Sequence, residues 1–442
     1  MPRSYCRLTA IIPAFFVFIQ LAAATDWPTF RGADRTAVSK DVGLLTEWPV
    51  DGPPLVWKAE GTGRGYSSLA IVGDRIFTMG DEISIGGGDP AKDSDEYLMC
   101  LDRNSGKLLW KTKTGPAWDK GQPDWQSSRS TPTVDGERVY VLTAEGVLVC
   151  CDVKTGGKQW RKNLKTDFGG KKADGWGYSE SVLVDGDQVV CTPGGTQTTM
   201  AALDKRTGDV KWKMVRDDDI GAGHASIVVS EIGGTRVYVQ TTGLGALGVR
   251  ANDGKLLWSY TIDKTTAVIP TPIVRGDLVF FTAGYKRGGA LLRQSPDGAG
   301  GIKIDEIYPI NPELSNKHGG VVLIGDYIYG DSDSSGVPFC AELMTGKIVW
   351  KKRGSGKGSA AVCAADGHLY FQFADGTVAL VKATPDDYTE ISTFKAPGSG
   401  ERPSWAHPVV LDGRLYIREN DVILCYDVRA KGLALRSGGG GK

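Results

Sequence analysis

One short phrase recurs along the chain, and its spacing limits the possible folds more than any other feature. The clearest copy is Cys100-Leu-Asp-Arg-Asn-Ser-Gly-Lys-Leu-Leu-Trp110. It returns as Cys150-Cys-Asp-Val-Lys-Thr-Gly-Gly-Lys-Gln-Trp160 and Ala202-Leu-Asp-Lys-Arg-Thr-Gly-Asp-Val-Lys-Trp212. Two further copies are Gly248-Val-Arg-Ala-Asn-Asp-Gly-Lys-Leu-Leu-Trp258 and Cys340-Ala-Glu-Leu-Met-Thr-Gly-Lys-Ile-Val-Trp350. Each reads as the end of one strand, a turn with glycine where a positive φ is needed, and a second strand ending in tryptophan. The tryptophans are 50, 52, 46 and 92 residues apart, the last spacing being two periods of 46. A fixed period of this size belongs to propellers, solenoids and arrays.

Each phrase lies inside a larger unit. Residues 130–142, ahead of Trp160, form an apolar strand, a tight turn and another strand. Equivalent pairs occur at 68–77, 181–190, 226–239, 271–280, 320–329, 361–371 and 408–417. That makes eight units of four short strands, and a four-stranded unit repeated every roughly 40–50 residues is a propeller blade. No stretch beyond the first residues keeps a 3.6-residue apolar period, which argues against helix bundles and α/β folds. The predicted fold is all-β, an eight-bladed propeller of four-stranded antiparallel blades. Residues 55–58 match the tryptophan-bearing strand of a blade, yet no inner strands precede them. The last unit has three strands and a poor fourth. The N-terminal strand is therefore predicted to complete the last blade, which removes an open sheet edge.

The phrase resembles Ala-x-Asp-x-x-Thr-Gly-x-x-x-Trp, the tryptophan-docking motif of the quinoprotein (PQQ-like) eight-bladed propellers. The match covers roughly residues 50–430. The resemblance implies that Trp57, Trp110, Trp160, Trp212, Trp258 and Trp350 pack between adjacent blades, each indole meeting the neighbouring motif. The tryptophan is missing at 295–308, 382–391 and 426–432, and Arg250 stands where the motif has Asp.

Residues 1–24 read as a secretory signal peptide. Arg3 and Arg7 precede the apolar run 8–22, and Ala22-Ala23-Ala24 precedes Thr25. The run is too short for a membrane span and holds Pro13 and Gln20. The expected product is exported to the periplasm or beyond, with no transmembrane segment after cleavage. Residues 25–54 are expected to be a lead-in packed across the propeller, 55–432 the propeller, and 433–442 a disordered tail. Without Cys6, seven cysteines remain, so at least one is unpaired within the chain. The adjacent Cys150 and Cys151 resemble a vicinal disulfide of the family's alcohol dehydrogenases. Here they sit in a strand, where neighbours face opposite ways, and no disulfide is expected. The 52 basic and 52 acidic residues balance, so nucleic acid is not an expected partner. A monomer is expected.

Three connections are long: 80–96, 113–128 and 165–178. They emerge on one face and carry Asp81, Glu82, Asp89, Asp93, Asp95, Trp118, Trp125 and Trp176. Aligning the eight units on their turns puts Tyr66, Arg129, Ser179, His224, Ile269, His318, Ser359 and Trp405 in one register of the inner strands. Two residues on, facing the same way, stand Ser68, Thr131, Ser181, Ser226, Thr271, Gly320, Ala361 and His407. Inner strands line the central channel. The candidate ligand pocket is its loop-bearing mouth, around Tyr66, Trp125, Arg129, Trp176, Tyr178, Glu180 and His224, with His318, Trp405 and His407 opposite. The three channel histidines come from non-adjacent blades, so no metal site is expected there.

Two functions follow from the resemblance. A BamB-like propeller is a binding scaffold for a cell-envelope protein partner or a small ligand. A quinoprotein dehydrogenase of the polyvinyl-alcohol type holds PQQ and Ca2+ at the channel mouth, the metal bound by Glu, Asn and Asp. That ligand set is not identifiable here, and neither is a Cys-x-x-Cys-His haem site. The scaffold is the favoured reading; no catalytic residue is assigned, and PQQ and Ca2+ belong to the alternative.

Overall fold

The computed structural model describes residues 26–82, 94–263, 266–333, 335–398 and 402–430. The segments expected to be a signal peptide and a C-terminal tail, and most of the 80–96 loop, with Asp89 and Asp93, lie outside the described residues.

Eight four-stranded antiparallel sheets follow one another along the chain. Blades 1 to 7 occupy 70–116, 133–163, 183–214, 228–261, 273–311, 321–351 and 360–395. Blade 8 takes its inner three strands from 409–427 and its outer strand from Leu55–Ala59. Leu55–Ala59 pairs antiparallel with Val422–Asp427, with Trp57 opposite Cys425. The ends of the ring are thus joined through one sheet, as the sequence predicts. The one α-helix among the described residues is the single turn Leu164–Phe168, capped by Asn163.

The repeated phrase builds the joints between blades. The glycine in each turn has a positive φ, and the tryptophan of the preceding blade lies against it. A Cβ on Gly106 would stand 2.6 Å from Trp57, and one on Gly254 would stand 2.5 Å from Trp212. The indole N–H then donates to a carbonyl of the same neighbouring motif. Trp57 bonds Arg103 O at 3.0 Å, Trp110 bonds Val153 O at 3.2 Å, Trp160 bonds Lys205 O at 3.2 Å and Trp212 bonds Ala251 O at 3.1 Å. Trp57 comes from blade 8 and Arg103 from blade 1, so the same joint closes the ring.

Three joints depart from the phrase, and each is filled differently. Blade 5 has no motif turn, and Trp258 donates instead to the Gln294 side chain at 3.0 Å. Tyr308 replaces the tryptophan of blade 5, its ring against Gly346 of blade 6. In blade 7, Ser392 stands opposite Leu380, where blade 1 sets Trp110 opposite Cys100. Trp48 of the lead-in covers that place: its backbone N–H donates to Ser392 Oγ at 2.9 Å, and its ring meets Tyr370 and Phe394.

Every cysteine among the described residues is buried and unbridged. Cys150 lies in the apolar layer shared with blade 3, and Cys151 in the layer shared with blade 1. The two side chains leave opposite faces of one strand.

A belt of hydroxyls ties the inner strands together. Ser68 N donates to Thr131 Oγ1, Thr131 N to Ser181 Oγ, Ser181 N to Ser226 Oγ and Ser226 N to Thr271 Oγ1, at 2.9–3.1 Å. The belt stops at Gly320, which has φ 65°. A Cβ there would meet Arg31 Nη1 at 2.7 Å. Arg31 and Arg35 of the lead-in reach under the channel. Arg35 donates to Ser181 O, Val182 O and Ile227 O, and Arg31 to Val321 O. Blades 3, 4 and 6 are thereby tied to one buried segment, which floors the channel.

Candidate functional site

The channel mouth holds a cavity of about 340 Å³. Eight of the ten residues expected there line it: Tyr66, Trp125, Arg129, Trp176, His224, His318, Trp405 and His407. Tyr178 and Glu180 do not. They alternate with Ser179 and Ser181, which do, and strand neighbours face opposite sides. Tyr178 packs on Gly146 and donates to Pro193 O at 2.8 Å. Glu180 is buried beside the channel, accepting from Thr192 N at 2.8 Å and from Gln240 Nε2 at 3.2 Å. Burial raises its pKa to about 7.

Two aromatic groups form the walls. On one side Trp405 stacks on His318 at 4.2 Å between ring centroids and meets Tyr66 at 4.9 Å. On the other, Trp125 meets Trp176 edge to face at 5.6 Å, and Trp176 leans over His224 at 6.3 Å. The two tryptophans are carried by the connections 113–128 and 165–178. The long loops therefore roof a pocket that the inner strands shape. Phe30 and Arg31 contribute the floor. Sequence reasoning missed them because nothing local distinguishes a residue that crosses beneath a ring. It also passed over Asp174, although the loop that carries it was singled out.

The lining is cationic. Arg31, Arg129 and Lys317 reach the cavity, and no Asp or Glu lines it among the described residues. Arg129 Nε and Nη2 are buried and have no hydrogen-bond partner. Its guanidinium stands over the Tyr66 ring at 5.8 Å. Arg31 Nη1 and His407 Nδ1 are likewise buried without partners. Burial lowers the Arg129 and Arg31 pKa values to about 10 and that of His407 to about 3. His318 falls well below its ordinary value for the same reason.

The loop and blade 4 meet in a hydrogen-bonded chain. His224 Nε2 lies 2.9 Å from Asp174 Oδ2, and its Nδ1 contacts Ser179 Oγ. Burial, reinforced by the charge of Lys172, holds His224 below its ordinary pKa. Asp174 stays ionised: the neighbouring imidazole and ammonium outweigh its burial. Lys172 itself donates to Gly223 O, and burial brings its pKa to about 8.

The geometry defines a repeat propeller with a floored, aromatic and cationic pocket at its loop-bearing mouth. Residues 94–352, more than half of the chain, match the family model described as outer membrane protein assembly factor BamB, and the chain belongs to that family. BamB from Moraxella catarrhalis is similar in structure at a TM-score of 0.51 and 17% identity, over 76% of this chain and 92% of that one. The quinohemoprotein alcohol dehydrogenase of Comamonas testosteroni is similar at a TM-score of 0.61 and 13% identity, over 93% of this chain and 82% of that one. At such identities the likeness shows the fold alone. No curated protein matches the chain in sequence.

The dehydrogenase likeness raises calcium and PQQ, and the donor set tests them. Calcium takes roughly six to eight oxygen ligands, with carboxylates prominent. Among the described residues the cavity presents hydroxyls and imidazoles beside two guanidinium groups, and none of its lining residues is a carboxylate. Nor do three His, Cys, Asp or Glu side chains gather as a metal site anywhere among the described residues. The lining does not fit a calcium-bound quinone.

Proposed function

We propose that this protein is a binding scaffold whose working site is the channel mouth, and that the mouth takes a small, flat, negatively charged ligand. One observation carries the reading: Arg129 presents two buried, unpartnered N–H groups beside a cavity walled by aromatic rings, with no carboxylate lining it among the described residues. Buried guanidinium N–H groups without hydrogen-bond partners are costly, and an anion entering the cavity relieves that cost. Rings on both sides favour a planar body between them. The rigid ring and closed floor keep the pocket formed before the ligand arrives, which limits the entropy lost on binding.

The reading includes export, supported by the arginine-led apolar run before Thr25. It also includes a cell-envelope setting, in keeping with the assembly-factor family. A protein partner there would meet the same rim, where Trp125 is exposed.

Titration calorimetry with pyrroloquinoline quinone and with pyridine-2,6-dicarboxylate, each with and without calcium, tests it. Saturable binding that needs no calcium and is lost in Arg129→Ala is expected. Absence of heat and of any melting shift with both anions at millimolar concentration rejects it.

A further inference from the structure

The contacts of His224 fix which of its nitrogens carries the proton. Asp174 is ionised and can only accept, so His224 Nε2, at 2.9 Å from its carboxylate, is the N–H donor. Nδ1 then carries the lone pair, and Ser179 Oγ–H donates to it. Both inner members are shielded, with the His224 side chain 5% exposed and the Asp174 side chain 4% exposed. Ser179 and the edge of the His224 ring line the cavity, and Asp174 does not. The chain therefore runs from a pocket hydroxyl, through a neutral imidazole, to a fixed carboxylate.

The propeller supplies its own comparison. Ser359 and His318 repeat the serine–histidine contact between blades 7 and 6, at 3.1 Å and in the same register. There the imidazole stacks on Trp405, and among the described residues no carboxylate pairs with it. The repeat thus explains a serine beside a histidine. It does not explain the acid, which the 165–178 loop brings in, anchored by Trp176 N donating to Asp174 Oδ1.

We propose that Ser179 is a nucleophile, with His224 as its base and Asp174 as a positioning residue, acting on small carboxylic esters that carry a flat aryl group. The proposal rests on the reading of the cavity as a small-ligand site. Ser179 Oγ bonds to the ester carbonyl carbon while its proton passes to His224 Nδ1 and the carbonyl electron pair moves onto oxygen. Arg129, at the same register on the adjacent inner strand, offers its unpartnered N–H groups to that oxyanion. The oxyanion collapses, the carbon–alkoxy bond breaks, and the leaving alcohol takes the proton from His224. Water then repeats the sequence on the acyl-serine and releases the acid.

The test is an aryl fluorophosphonate, which Ser179 would capture by displacing fluoride, with adducts located by mass spectrometry. The expected result is an adduct on Ser179, while Ser359, which is buried and does not line the cavity, stays bare. Ser179→Ala should lose the adduct. His224→Gln should slow it by about 100-fold, the scale of a general base. Asp174→Asn should slow it and change its pH profile, a change that a merely structural role would not produce. A protein that binds the dicarboxylate but leaves Ser179 bare, or labels Ser179 and Ser359 alike, overturns the nucleophile alone. A protein that takes neither probe overturns the pocket reading with it.

Discussion

Trp48 lies 5.9 Å from Tyr370, ring centroid to ring centroid, and stands where the blade 7 strand itself offers only Ser392. Elsewhere the same contact is made within a blade: Trp160 lies 6.0 Å from Tyr140, and Trp350 lies 5.9 Å from Tyr329. A residue outside the repeat thus completes the ring of docked aromatics.

Trp48→Ala should destabilise the fold by about 3–5 kcal/mol, the range for deleting a buried aromatic. Trp48→Phe should cost clearly less than Trp110→Phe. The Trp48 indole N–H has no partner, whereas Trp110 gives up a bond to Val153 O. Equilibrium denaturation of the three variants checks the order.

Two glycines with nearly the same backbone should respond differently to alanine. Gly276 has φ 59° and nothing within 4 Å of a Cβ, so Gly276→Ala should cost only the left-handed strain of about 1–2 kcal/mol. Gly254 has φ 74° and the Trp212 ring 2.5 Å from a Cβ. Gly254→Ala should add an overpacking cost of about 1–3 kcal/mol. Thermal melts of the pair measure the difference.

Arg129→Ala should weaken binding of a flat carboxylate about 10- to 150-fold, the equivalent of about 1.5–3 kcal/mol for a charged hydrogen bond. Arg129→Lys keeps the charge but loses the planar fork, so its affinity should fall between the two. Calorimetry with pyridine-2,6-dicarboxylate orders the three proteins.

Stability should peak in mildly acid solution. Burial raises Glu180, Glu419 and Asp331 to about 7 and Glu96 to about 8. For these groups the folded pKa exceeds the unfolded one. Their contribution is full below the ordinary carboxylate range and is lost as pH rises through 7–8. His407, lowered to about 3, acts from the other side: below about pH 6.5 the unfolded chain takes a proton that the folded one refuses. The melting temperature should therefore fall between about pH 5 and 8, level off above that, and fall less in Glu419→Gln. An unchanged slope in that variant would remove Glu419 from the account.

The fold was largely legible because the docking phrase carries its own geometry. A glycine turn and a tryptophan at fixed spacing specify both the blade and the joint. Trp57 was placed correctly for that reason, since it keeps the phase of the repeat. Trp48 keeps no phase, and its role depends on a strand more than 340 residues away. The lining of the candidate pocket was legible where register decides it: Arg129, His224 and Trp405 fall on one inner-strand row. Tyr178 and Glu180 were drawn in by proximity in sequence, although period-two alternation turns them away from Ser179. Arg31 and Asp174 arrive from segments without a period, so only the folded ring reveals them.

The pairing of Leu55–Ala59 with Val422–Asp427 also sets an order of events. A chain emerging from its N-terminus presents that first strand early and must leave it without its partner until almost everything else has been made. For that interval the nascent ring is an open arc with a seam at each end, each an adhesive surface for any neighbouring chain. The blade that finishes the structure is thus also the point at which it is most easily caught unfinished. A helper that shields the first strand during synthesis would protect the molecule more than one acting on any later blade.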